Sequence, residues 1–135
     1  MTGAALAAAA EALVGTRFRL HGRDAATGLD CIGVLAAALA TCGRPAALPN
    51  FYSLRMRAPP ELGEIAQDAG FTPCTAAVLA GDVLLVRIGP CQFHLVLAAD
   101  RDTFVHAHAG LMRVVRSALP GDWLVVRHWR LAEKN

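Results

Sequence analysis

The longest apolar stretch of the chain runs from Cys31 to Cys42, interrupted only by Gly33 and Thr41. A helix over those residues has no polar face, so it belongs at the centre of a fold rather than on its surface. Gly43 and Pro45 end it. Upstream, Ala4 to Val14 predicts a shorter helix stopped by Gly15. Arg17 to Leu20 is then a brief extended piece leading into the turn-forming stretch Gly22 to Gly28. Residues 44 to 60 carry four prolines and read as irregular, and Glu61 to Ala69 predicts another helix, closed by Gly70. The pattern then changes to β-rich segments: Asp82 to Ile88, Phe93 to Ala99, Thr103 to Ala107, Leu111 to Val115, and Trp123 to Trp129. Helices first and an antiparallel sheet afterwards make an α+β domain.

With 135 residues, 55% of them hydrophobic, the chain suits one domain with a substantial core, spanning 1–135. Thirteen basic residues stand against eleven acidic ones and are scattered outside Arg113 to Arg116 and Arg127 to Arg130, which gives no reason to expect nucleic acid. No uncharged apolar run reaches the roughly 18 to 20 residues a membrane span requires. The alanine-rich start lacks a basic leader segment and carries Glu11, so it reads as a first helix. The expectation is a soluble protein made in the cytoplasm without a signal peptide. Cys31, Cys42, Cys74 and Cys91 could form two bridges, but so apolar a chain needs no stapling, and reduced thiols are expected.

Cys31 opens the apolar helix, and His94 and His106 sit on two later strands. A free thiol titrates near ~8.5, and unpaired N–H groups at a helix start favour its thiolate, so the arrangement reads as a nucleophile awaiting a base. His94 and His106 flank the hairpin-like segment Ala98 to Asp102. Pairing about Asp100 predicts that they stand directly opposite each other on one face, with Cβ atoms roughly 4.5 to 5.5 Å apart. His106 would then orient His94, as a third group must in nucleophilic catalysis. His108 shares the strand face of His106 and competes for that position. The first-turn amide of Cys31 would serve the oxyanion.

At these residues the chain resembles the NlpC/P60 cysteine peptidases. Gly15-Thr16-Arg17-Phe18-Arg19-Leu20-His21-Gly22 is similar to the family's Gly-x-Pro-Tyr-x-x-Gly-Gly block, and Leu29-Asp30-Cys31-Ile32-Gly33-Val34 to its Phe-Asp-Cys-Ser-Gly-Leu nucleophile motif. Gly81-Asp82-Val83-Leu84-Leu85 resembles Gly-Asp-Leu-Val-Phe. His94-Leu95-Val96-Leu97 and Phe104-Val105-His106-Ala107 resemble His-Val-Gly-Ile and Phe-Ile-His-Ala. The joint order covers roughly residues 4 to 129. The resemblance implies a papain-like fold, a Cys31-His94-His106 triad without cofactor or metal, and hydrolysis of stem-peptide bonds in bacterial peptidoglycan. The compact form and the basic strand Trp123 to Trp129 look most like members encoded by phages and gene transfer agents. That likeness implies tail proteins as partners and delivery to the wall with a phage-like particle.

The chain departs from the motif at two places. Phe18 stands where the family has tyrosine, and Ile32 where it has serine, so two hydroxyls expected at the substrate are missing. Asp30 remains and is expected to pair with a substrate ammonium, with His21 lining the cleft. A non-catalytic wall-binding or tail-assembly module is the alternative these departures favour, and acyl transfer or amidase chemistry on the same triad is a second. Cys42, Cys74 and Cys91 read as core thiols, and His128 as part of the closing strand. A zinc site at Cys91, His94, His106 and His108 would leave Cys31 unexplained and is set aside. Gly28 and Gly33 have no following Lys-Ser/Thr and make no phosphate cradle. Trp123 and Trp129 either pack in the core or dock on a neighbour.

Overall fold

The structure, a computed structural model, describes residues 2–46, 48 and 61–132. Most of the proline-bearing stretch expected to be irregular therefore lies outside the described residues. Helix α1 spans Gly3–Glu11, capped by Thr2, whose hydroxyl accepts from the Ala5 amide at 3.1 Å. It stops three residues short of the expected Val14 because residues 12–15 tighten into turns that end at Gly15, with φ of 94°. A two-stranded ribbon follows, β1 (Arg23–Asp24) against β2 (Gly28–Leu29). Helix α2, Cys31–Thr41, runs as its apolar sequence demands, and its first five residues are buried on every side. Helix α3 is a single short piece, Gly63–Asp68.

The sheet has six strands: β3 (Phe71–Pro73), β4 (Val83–Gly89), β5 (Gln92–Ala98), β6 (Phe104–His108), β7 (Arg113–Ser117) and β8 (Leu124–Leu131). Their spatial order is β3-β8-β4-β5-β6-β7, antiparallel throughout. The closing strand folds back beside β4 and so places β4 and β5 in the middle. Both central strands are buried on both faces, which is why Val83-Leu84-Leu85-Val86 and Leu95-Val96-Leu97-Ala98 read as unbroken apolar runs. On one face Val83, Leu85, Leu95, Leu97 and Val105 pack against Leu6, Ala10 and the inner side of α2. On the other, Leu84, Val86, Val96, Ala98 and Phe104 lie under Val78, Ile88, Leu119 and Trp123. Trp129 is a core residue of the helix-facing layer, while Trp123 belongs to the cover of the outer one. Among the described residues, no helix is long and apolar enough to cross a membrane.

Two glycines seat the ribbon on α2. A Cβ on Gly33 would run into the carbonyl oxygen of Gly22, and one on Gly22 would run into the carbonyl oxygen of Gly28. Backbone meets backbone here with no room for a side chain, which fixes where the first turn of α2 sits.

Candidate active site

Asp30 builds the start of α2. Its Oδ1 accepts from the Gly33 amide and from Arg23 Nη1, each at 2.8 Å, and its Oδ2 accepts from the His21 amide at 2.9 Å. His21 adopts a left-handed conformation, φ 60°, to deliver that amide. The carboxylate is thus an N-cap and one half of a part-buried ion pair at once. Arg23 takes up part of the Asp30 carboxylate from within the chain, and Asp30 still lines the cleft onto which Cys31 opens.

Cys31 follows at the first helical position, 9% exposed, and opens onto a cleft of about 570 Å3. Phe18, His21, Asp30 and Ile32 line the cleft on the helix side; His94, His106, His108 and Trp123 line it on the sheet side. Contrary to the thiolate expected at a helix start, burial pushes the Cys31 thiol up to about 12. Hydrogen bonding from the backbone of Leu95 and Ile32 opposes this, while the neighbouring Asp30 carboxylate adds to it. Desolvation outweighs the helix dipole, whose positive end Asp30 has already neutralised.

His94 and His106 do meet, but not by the expected pairing. The β5–β6 register joins Leu97 to Val105 and Ala98 to Phe104. The hairpin therefore centres on Arg101, not Asp100, and His94 and His106 are diagonal rather than opposite neighbours. The cause is the turn: Asp100 Oδ1 collects the amides of Asp102 and Thr103 and the Thr103 hydroxyl, closing a loop one residue later than assumed. Because the shift moves each pair by two, both rings stay on one face. His94 Nε2 lies 3.2 Å from His106 Nδ1, and His106 Nε2 lies 3.1 Å from Ser117 Oγ. His108 is turned to its own loop, its Nδ1 accepting the Leu111 amide at 3.1 Å.

Trp123 closes the row from above, edge to face with His94 at 5.9 Å and with His106 at 5.7 Å between ring centres. Burial, and then the neighbouring imidazoles of His106 and His108, bring His94 down to about 3. His106, only 2% exposed, falls to about 4 by burial and then by His108. The resting pair is neutral thiol and neutral imidazole. Sequence pattern gave no sign of Ser117, nor that Trp123 covers the histidines, because each reaches them through strand pairing or a loop rather than through a motif.

All four cysteines are free. Cys91 is exposed in the β4–β5 turn and Cys42 and Cys74 are half-buried, so the core reading fails outright for Cys91, whose turn carries it out to solvent. A cluster of metal-ligand type occurs elsewhere, with donor atoms of Cys74, Asp82 and His128 all within 4.8 Å of one another. Its chemistry is that of a closed ion pair. Asp82 accepts from His128 Nε2 at 2.6 Å, from Arg130 Nε at 2.9 Å and Nη2 at 2.8 Å, and from the Leu79 amide at 3.0 Å. A cation would have to displace a guanidinium. Burial pushes the Asp82 carboxyl up, but Arg130, Leu79 and His128 outweigh it and hold it below the usual range.

The chain superposes on the NlpC/p60 domain of the peptidoglycan hydrolase SagA with a TM-score of 0.66 and 21% identity, over 98% of this chain and 100% of that one. This is the NlpC/P60 fold. The same fold in NlpC1 from Trichomonas vaginalis matches with a TM-score of 0.70 at 17% identity, covering 98% of this chain and 45% of that one. The peptidoglycan hydrolase RipB from Mycobacterium tuberculosis gives 0.63 and 19%, with 98% and 65% covered. The NlpC/P60 fold here is thus equivalent to one whole domain of SagA and to a part of longer relatives. By sequence alone, no family model and no curated protein matches.

Proposed function

We propose that the protein is a cysteine peptidase that hydrolyses peptide bonds of bacterial peptidoglycan. The observation that carries this is the convergence of Cys31, on the helix layer, and the His94–His106 pair, on the sheet, at the walls of one cleft. Solved NlpC/P60 neighbours described as peptidoglycan hydrolases support the substrate class. His94 Nε2 faces His106, so Nδ1 is the nitrogen left to take the thiol proton. With a neutral pair at rest, that proton moves as sulfur closes on the carbonyl carbon, which is general-base attack and not a preformed ion pair. The first-turn amide of Cys31 stabilises the developing oxyanion. His94 returns the proton to the leaving amine, and water then hydrolyses the thioester.

Among the described residues, Arg23 on Asp30, together with Phe18 and Ile32, leaves the cleft without an unpaired carboxylate or hydroxyl for a free amino terminus. The substrate favoured is a stem peptide whose amine is acylated, as in intact wall. Delivery with a phage-like particle rests on the sequence resemblance alone.

A second reading, a wall-binding or assembly module that keeps the fold, is favoured by the high-titrating Cys31. Sacculi incubated with wild type and with Cys31→Ala separate the two. New muropeptide ends, seen by mass spectrometry only with wild type, are expected. Sacculi bound but uncut by a folded wild-type protein would establish the module.

A further inference from the structure

We propose that Ser117 is a positioning residue that sets the proton direction of the histidine pair. His94, His106 and Ser117 lie on three successive strands of the sheet, each diagonal to the next, and their polar atoms are linked at 3.2 and 3.1 Å. β7 pairs Ser117 with Phe104 and Val115 with His106, so Ser117 reaches across the same face toward the His106 ring.

A neutral imidazole has one N–H and one lone pair, so the row can run in two directions. If the Ser117 hydroxyl donates to His106 Nε2, then His106 Nδ1–H donates to His94 Nε2. His94 then carries its proton on Nδ1 and cannot receive one from the thiol. If Ser117 Oγ accepts, every bond reverses: His106 holds its proton on Nε2, His94 holds its proton on Nε2, and His94 Nδ1 is left as the base. The accepting direction is also the one that suits the imidazolium formed during attack. His94 then has two N–H groups, and its Nε2–H needs the His106 Nδ1 lone pair. His106 is nearly sealed from water and shielded by Trp123, so only Ser117 Oγ takes the Nε2–H of His106. Among the described residues, nothing else is hydrogen-bonded to that nitrogen.

This assignment rests on the proposed peptidase chemistry for its consequence but not for its first test. Long-range 1H–15N spectra of the resting protein are expected to show His106 protonated on Nε2 and bare on Nδ1. Ser117→Ala should convert it wholly or partly to the other tautomer, and Ser117→Thr should restore it. On muropeptide substrate, Ser117→Ala is expected to lower kcat about tenfold, the scale of one hydrogen bond supporting a charged group, with KM little changed and Ser117→Thr close to wild type. A wild-type His106 protonated on Nδ1, or a tautomer and kcat both indifferent to Ser117→Ala, would overturn the proposal. Absence of any wild-type turnover would count against the peptidase reading, while the tautomer measurement would still decide the role of Ser117.

Discussion

Cys31 shows how far a single side chain's chemistry depends on what surrounds it. The helix start offers positive potential, but the cap that creates the start is a carboxylate, and the walls that create the cleft remove water. The thiol of the free protein should therefore be slow toward alkylation. In a mixture labelled with iodoacetamide at pH 7 and read by peptide mass spectrometry, exposed Cys91 should react first and Cys31 last; rapid labelling of Cys31 at pH 6 would contradict the neutral pair. At Asp30 the same reasoning yields a gain-of-function test. Arg23→Met removes the internal cation, so hydrolysis of a peptide with a free amino terminus should rise several-fold relative to its N-acetylated form. An unchanged ratio would show that Arg23 plays no part in choosing between the two.

Among the elements, the ribbon and α2 touch through glycine backbones. Ala in place of Gly33 gains about 1 kcal/mol in helix propensity. It forces a methyl into the Gly22 carbonyl, a cost of about 1–3 kcal/mol or more in packed surroundings. The clash should win: Gly33→Ala is expected to lower the urea midpoint and to reduce activity further by shifting Cys31. Equal or greater stability would show that the contact relaxes freely. Elements with a long one-sided or all-apolar pattern, such as α2 and the two central strands, were legible because burial is written into their composition. The ribbon and β3 were not, since two or three residues contain no period. The histidine pair was legible as a pair on one face, because a shift of two preserves the face. Its true register was not, because it depends on which amides Asp100 collects. Ser117 is likewise invisible without the β6–β7 pairing.

At the level of the whole molecule, acid is the natural stress. His94 and His106 titrate lower in the folded chain than near 6.5. Below about 6.5 the unfolded chain therefore binds more protons, so the stability these groups confer is complete above that value and drains away as pH falls toward about 4 for His106 and about 3 for His94. Asp82, held below its usual range, adds a second loss at lower pH, where the carboxylate is protonated. Urea midpoints measured from pH 7.5 to 4.5 should fall steadily, and His94→Gln should flatten the upper part of that profile. A midpoint constant over this range would remove the buried neutral histidines from the account.

Under the proposed chemistry, the residues around the nucleophile lie in 18–32 and those around the base in 94–123. Neither stretch contains a complete reaction centre. On the proposed reading, hydrolysis would then be a reporter of assembly: two inert polypeptides cut between the layers, say after residue 46, would acquire turnover only on recombining, and its rate would count the pairs that had found each other.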